Sequence, residues 1–119
     1  GLKTSLKLLK DLRKEFENNL FIPGSTEGVN IELEKALRLN DFITMGELIA
    51  YDALNRNESC GGHFREEYQT EEGEAKRDDE NYFYVSCWEY QGSDDVAPVL
   101  YKEPLVYEAI KVQTRNYKS

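Results

Sequence analysis

The sequence predicts an α+β chain that is mainly helical and ends in a β tail. Apolar residues recur at spacings of three and four through the first half of the chain, which is typical of helices that pack on one side. Between Tyr82 and Tyr90 the pattern changes to alternation, which is typical of a strand. Because an acidic stretch at 65–81 separates the two patterns, we expect helices and strands to occupy different parts of the chain.

The first predicted helix begins at Leu2 and runs to about Leu20, where Pro23-Gly24-Ser25 ends the pattern. Its apolar positions are Leu2, Leu6, Leu9, Leu12, Phe16 and Leu20. The charged positions between them, assigned to the solvated side, are Lys3, Lys7, Lys10, Arg13, Lys14 and Glu17. The chain enters the apolar stripe almost without a preceding turn, so we expect it to be cut from a larger protein.

The second predicted helix begins near Ile31, with Asn30 as its N-cap and two glutamates in its first turn. Apolar residues at helical spacing continue to about Asn57. Asn40-Asp41 is a possible kink or break in this pattern. The sequence therefore predicts either one long helix or two abutting ones.

The second half of the chain predicts a loop, a hairpin and an extended tail. Residues 65–81 hold eight acidic and three basic side chains and almost nothing apolar, which predicts an exposed loop. The aromatic strand and the turn residues Gln91 to Asp95 predict a β-hairpin near residues 82–102. We expect Leu105 to Val112 to be extended or to form an edge strand.

Charge and composition limit the possible partners of this chain of 119 residues. A net charge of −8 and a pI near 4.7 argue against nucleic acid, whose phosphates need a basic footprint. No apolar run approaches the ~20 residues needed to span a bilayer, so we expect membrane association only through partner subunits. The two cysteines lack CxxC spacing, which predicts free thiols in a reducing compartment.

The most distinctive segment runs from Glu58 to Glu67 and gathers the single histidine, a cysteine and two adjacent glycines. His63 could be a metal ligand or a general base. However, the segment is not HExxH, and no second histidine exists to complete an imidazole-rich site. Gly61 and Gly62 remove two Cβ atoms and permit close approach of another backbone or a cofactor. We therefore favour a structural or interface role.

Other groups give weaker signals for chemistry. Cys60 has no visible base beside it, and Cys87 lies in the predicted strand and is expected to be buried. The acidic pairs in the loops lack the oxygen spacing and central glycine of an EF-hand. The aromatic residues of the strand are expected in a core or an interface. We assign no catalytic, cofactor-binding or metal-ligating residue.

Three motifs in this order resemble the C-terminal region of succinate dehydrogenase and fumarate reductase flavoprotein subunits. They are ESCGGHFREEY at 58–68, RDDEN at 77–81 and Arg115-Asn116-Tyr117 near the end. The family usually has ESRGAH or ESRGGH, an RDDENW-like segment and a tail ending in R-x-Y. This sequence departs from that wording at Cys60, where the family generally has arginine, so any ion pair of that arginine is absent or moved.

The resemblance implies a partial three-helix bundle, with the family's first helix missing, followed by an extended loop and a β-hairpin. Residues 1–58 would be the helical part. Residues 59–119 would hold the glycine turn, the acidic loop, the hairpin and the tail of one truncated domain. This region of the family packs on the flavin-binding and capping domains of the same subunit. The implied interdomain contacts are Gly61, Gly62, His63 and Arg65.

The resemblance also implies a function in which the chemistry lies outside this chain. The parent subunit would carry FAD, exchange hydride between succinate and fumarate, and pass electrons to an iron-sulfur subunit. This fragment would bind no cofactor, be inactive alone, and possess a missing-helix face through which it could self-associate. The parent complex would be cytoplasmic and peripheral on a bacterial inner membrane. The alternative from another class is an autonomous acidic module that binds a peptide or protein.

Overall fold

The computed structural model describes residues 1–113 and divides the chain into two compact units, Gly1–Asn55 and Arg56–Ser119. The helices are α1 (Leu2–Asn19), α2 (Ile31–Asn55) and the single turn α3 (Asp79–Tyr82). The strands are β1 (Tyr84–Glu89) and β2 (Val99–Pro104). Helices followed by a two-stranded sheet confirm the predicted α+β class.

The first unit is a helical hairpin in which α1 and α2 are antiparallel. A Cβ built on Gly46 would lie 3.5 Å from the Leu9 side chain. Arg13, one turn further along α1, reaches back to Asn40 on α2. The buried apolar residues of α2 are Ala36, Ile43 and Ala50. These residues are seven positions apart, which is close to two helical turns, so they form one narrow stripe of α2 that packs against α1.

The start and the continuity of α2 follow from its sequence. The Asn30 side chain accepts a hydrogen bond from the Leu33 N–H at 3.1 Å, which confirms the predicted N-cap. The helix continues through Asn40-Asp41 to Asn55, so the possible break there is absent and the interpretation of one long helix is confirmed. An Asn-Asp pair disfavours the helix by about 1 kcal/mol relative to two alanines, which packing against α1 offsets.

The assignment of Arg13 to the solvated side of α1 was wrong. Arg13 is 8% exposed and donates to Glu47 at 2.6 Å, Thr44 at 3.0 Å and Asn40 at 3.4 Å. It lies four residues after Leu9, so the helical period places both on the face that meets α2. The polar side chains of α2 make this position suitable for a guanidinium.

The second unit contains the predicted β-hairpin. Strands β1 and β2 are antiparallel, with Tyr84 opposite Pro104 and Glu89 opposite Val99. Beyond β2, the Leu105 N–H donates to the Phe83 carbonyl at 3.1 Å. Residues 106–113 contain no strand and are exposed, so the edge-strand alternative for this segment is wrong.

Cys87 is exposed, which corrects the expectation that it is buried. The burial along β1 alternates residue by residue. Tyr84, Ser86 and Trp88 lie on the half-buried face, whereas Val85, Cys87 and Glu89 are exposed. A strand with apolar residues on both faces gives no sequence signal for which face is covered. Both cysteines are free, as predicted.

The acidic segment at 65–81 is more ordered than the predicted loop. Gln69 and Ala75 pair as an isolated antiparallel bridge around Gly73, whose φ is 80°. The segment then enters α3, where the Asp78 side chain accepts from the Asn81 N–H at 3.2 Å. Glycine at positive φ and an aspartate cap supply this local order without a hydrophobic core.

No helix among residues 1–113 is long and apolar enough to cross a bilayer. The predicted R-x-Y tail at Arg115-Asn116-Tyr117 lies outside the residues that the structure describes.

Candidate docking site at the glycine turn

Arg56 forms the centre of the polar network that supports the glycine turn. Its guanidinium donates to the carbonyl oxygens of Tyr82 at 2.9 Å and Tyr84 at 3.0 Å. It also lies over the Tyr84 ring, with Cζ 4.8 Å from the centroid. These contacts join the segment after α2 to the start of β1 by hydrogen bonding and cation–π attraction.

Glu58 is buried and is neutralised by this network. It is 3% exposed and accepts from Arg56 at 3.0 Å through Oε1. Its other oxygen accepts from the Asp78 backbone N–H at 2.9 Å. A carboxylate at this depth is stable only when it is paired and hydrogen-bonded, and both conditions are met. Glu58 thereby holds the end of the acidic segment against the turn.

Ser59 is fully buried and closes the base of the turn. Its hydroxyl accepts from the Arg65 N–H at 2.8 Å and donates to the Arg65 carbonyl at 3.1 Å. Its backbone N–H donates to the Lys76 carbonyl at 2.9 Å. One small side chain therefore satisfies both backbone groups of a residue six positions away.

The glycines form the tip of a two-residue turn between Cys60 and His63. These two residues exchange backbone hydrogen bonds at 2.8 and 3.0 Å. Gly61 has a φ of 58°, and positive φ at the first central position is what a type II′ turn requires. Gly62 does not have positive φ, and a Cβ added there would meet nothing within 4 Å. The backbone thus explains the first glycine but not the second.

His63 and Arg65 are directed toward their own chain. The His63 Nε2 lies 3.0 Å from the Arg56 carbonyl, and Nε2 carries the proton because a carbonyl can only accept. The Arg65 guanidinium donates to Asn57 at 2.8 Å and to Glu67 at 3.0 Å. These bonds position the turn, while the exposed tip is formed by the glycines.

Glu67 is the carboxylate of this cluster whose acidity is shifted. Its own backbone N–H, and then the hydrogen bond from Arg65, hold the pKa of the Glu67 carboxyl below its usual value. A lowered pKa means that the Arg65–Glu67 pair is intact above the ordinary glutamate pKa. The pair is lost only as the pH falls through the lowered value. The Glu67 carboxylate is mostly exposed, so its ion pair with Arg65 adds little to the stability of the turn.

Of the four predicted contact residues, Gly61, Gly62 and His63 belong to the turn, and Arg65 follows two residues later, where its guanidinium donates to the Arg56 carbonyl that His63 also contacts. Arg56 and Glu58, which hold this turn in place, were not among the contact residues predicted from the sequence. No local sequence signal marks Arg56, because its partners Tyr82 and Tyr84 lie 26 and 28 residues away. The role of the four residues in contacts between domains stays a prediction.

The two glycines are expected to respond differently to alanine. Gly61→Ala places a Cβ at positive φ and should destabilise the second unit by about 1–2 kcal/mol. Gly62→Ala meets open space and should change the free energy of unfolding by about 0.5 kcal/mol or less. Urea unfolding of both variants followed by circular dichroism checks this. Equal losses would show that Gly62 is also required by the backbone.

Neither the start of α2 nor any side-chain cluster among residues 1–113 has the arrangement that a flavin pyrophosphate or a metal ion requires. A flavin pyrophosphate binds free backbone N–H groups at the start of a helix that follows a glycine-rich loop. The helix to compare is α2, because the loop before it contains Gly24 and Gly28. The start of α2 is already capped by Asn30, and no strand precedes it in residues 1–30. Among residues 1–113, no group of three metal-ligating side chains comes together.

Comparison with known proteins identifies the family. The model of the family described as the fumarate reductase flavoprotein C-terminus matches residues 1–117, nearly the whole chain. No solved structure matches this chain. The match covers the helical hairpin, the glycine turn and the β-hairpin together. The chain therefore belongs to the fumarate reductase and succinate dehydrogenase flavoprotein C-terminal domain family.

Proposed function

We propose that this chain is the non-catalytic C-terminal region of an FAD-dependent succinate dehydrogenase or fumarate reductase subunit. In this proposal its glycine turn docks on the flavin-binding and capping domains of the same subunit. The observation that carries the proposal is Gly62, which is exposed although neither its φ nor a neighbouring atom requires glycine. Because neither the backbone conformation nor packing within the chain requires glycine at this position, we attribute it to the close approach of a surface outside the chain.

The frame beneath the turn supports docking. Arg56, Glu58 and Ser59 are held by hydrogen bonds of 2.8–3.1 Å. A surface that is fixed before binding loses less conformational entropy on association. The turn would therefore present its glycines in one geometry, and His63 and Arg65 would keep that geometry while the partner domain packs over the tip.

The parent subunit would supply the chemistry. FAD bound there would exchange hydride between succinate and fumarate, and electrons would pass to an iron-sulfur subunit. The parent complex would be peripheral on the cytoplasmic face of a bacterial inner membrane. The present chain would contribute support and assembly, and a purified preparation should be colourless and inactive.

The helical hairpin would be two helices of a three-helix bundle. Several large apolar side chains of α1 and α2 are exposed, among them Leu8, Phe42 and Ile49. A further helix of the parent subunit would cover them and complete the bundle. Several large apolar side chains exposed together on one protein surface usually mark a site of contact with another protein segment.

The docking proposal is tested in the full-length subunit with Gly62→Ala and Gly62→Leu. Both should lower FAD retention and assembly with the iron-sulfur subunit, the leucine variant more strongly, because a side chain would separate the two surfaces. Gly28→Ala and Gly28→Leu are matched controls, since Gly28 is also exposed, without positive φ and without neighbours at its Cβ position. Wild-type FAD content and assembly in both Gly62 variants would contradict docking at this turn.

A further inference from the structure

Four lysines of α1 form a straight, exposed row, which we call the lysine row. Its members are Lys3, Lys7, Lys10 and Lys14, and all four are exposed. They are four, three and four residues apart, so they lie on one side of the helix over about 16 Å. No ion pair within residues 1–113 uses any of them. The row is therefore a concentrated positive surface on a chain whose net charge is −8.

The lysine row lies on the flank of α1 away from the exposed apolar side chains. Leu9 lies against Gly46 of α2, and each further residue turns the helix by about 100°. Measured from Leu9, the four lysines lie about 100–160° around α1 in one direction, whereas Leu8 and Leu12 lie about 60–100° in the other. A further helix that covers Leu8 and Leu12 would therefore leave the lysine row accessible.

The composition of the row favours a protein partner over a membrane. No other residue of α1 falls in the sector that the lysines occupy, and Glu17 and Asn18 border it. The row thus lacks the apolar side chains with which an interfacial helix enters a bilayer. The net charge of −8 also opposes the approach of the whole chain to an anionic membrane. A single acidic helix would contact only the row, and salt screens the more distant carboxylates.

We propose that the lysine row binds an acidic helix of a partner protein, whose carboxylates repeat at the same spacing of four, three and four residues. This spacing is the same in both directions along a helix, so a parallel or an antiparallel partner can place one carboxylate beside each ammonium group. Exposed ion pairs are individually weak, so the contact would be reversible and salt-sensitive, and it would orient the partner more than it would hold it.

The test uses the isotope-labelled chain and two synthetic alanine-based helical peptides of equal glutamate content. In the matched peptide the glutamates are four, three and four residues apart, and in the control peptide they are distributed around the helix. At low ionic strength the matched peptide should bind about tenfold more tightly, the scale of several exposed ion pairs. NMR titration should show the largest amide shifts in α1, and about 0.5 M salt should remove the binding.

Charge reversal in the row locates the contact. Lys7→Glu combined with Lys10→Glu should weaken binding of the matched peptide by about tenfold or more. Lys35→Glu combined with Lys111→Glu is the matched control, because it changes the net charge equally at exposed lysines outside α1. The control should weaken binding by about threefold or less. Circular dichroism verifies that each variant keeps its helices.

Several results would overturn the proposal. They include failure of the matched peptide to bind, equal affinity for the two peptides, and equal losses in the two double variants. Binding of phosphatidylglycerol vesicles without binding of the matched peptide would make lipid the ligand of the row. Self-association that Lys7→Glu with Lys10→Glu abolishes would instead make a second copy the partner. None of these results bears on docking by the glycine turn, which is measured in the full-length subunit.

Discussion

Replacing Arg56 with methionine is expected to destabilise the second unit by about 3–5 kcal/mol. The substitution leaves the Glu58 carboxylate, 3% exposed, without its cationic partner at 3.0 Å. It also removes the donors to the Tyr82 and Tyr84 carbonyls. Methionine keeps most of the side-chain volume, so the decrease in the free energy of unfolding comes mainly from the unpaired Glu58 charge and from the lost hydrogen bonds.

The measurement is urea unfolding at fixed protein concentration, followed by circular dichroism. Arg38→Met is the control, because its ion pair with Glu34 joins side chains that are 66% and 51% exposed. That change should cost about 0.5 kcal/mol or less. If both variants lose the same small amount, Arg56 is not the frame of the glycine turn.

Arg13→Met is expected to destabilise the helical hairpin by about 3 kcal/mol. Arg13 is 8% exposed, and its partner Glu47 has a side chain that is only 18% exposed. Without the guanidinium, the carboxylate stays between the helices with its charge uncompensated. Thr44 and Asn40 also lose a donor.

A second substitution separates the cost of a stranded charge from the cost of lost packing. Arg13→Met combined with Glu47→Leu removes both charges and fills the seam with apolar side chains. Replacing a buried ion pair in this way is often neutral or stabilising, so the double variant should recover most of the loss. A double variant as unstable as Arg13→Met alone would contradict this, and would show that the pair specifies the hairpin through geometry. Thermal unfolding of the wild-type chain, Arg13→Met and the double variant gives the comparison.

The sequence predicted the periodic elements well. Both helices, the Asn30 cap and the β-hairpin were correct because each depends on residues within a few positions of one another. The acidic segment was treated as a plain loop because its order depends on Gly73 and on the Asp78 cap, which are single-residue signals. The expected burial of Cys87 was wrong because both faces of β1 carry apolar residues.

The candidate site was predicted in part. The glycine pair and His63 were selected as one turn from their composition alone, and the structure places them in one turn. Arg56 was missed because its partners lie 26 to 30 residues away, at Tyr82, Tyr84 and Ser86. The spacing of residues in the sequence does not indicate contacts between residues so far apart, because no helical or strand pattern links the two segments.

The sequence by itself determined the family, the order of elements and the glycine turn, because motifs, helical period and positive-φ positions are local properties of the chain. Only the tertiary structure decided which charges are buried. Arg13 and Arg56 appear no different in sequence from the exposed arginine at position 38. Whether an arginine is buried depends on which segments of the chain pack together. A buried guanidinium is stable because carboxylates and carbonyl oxygens from distant segments surround it.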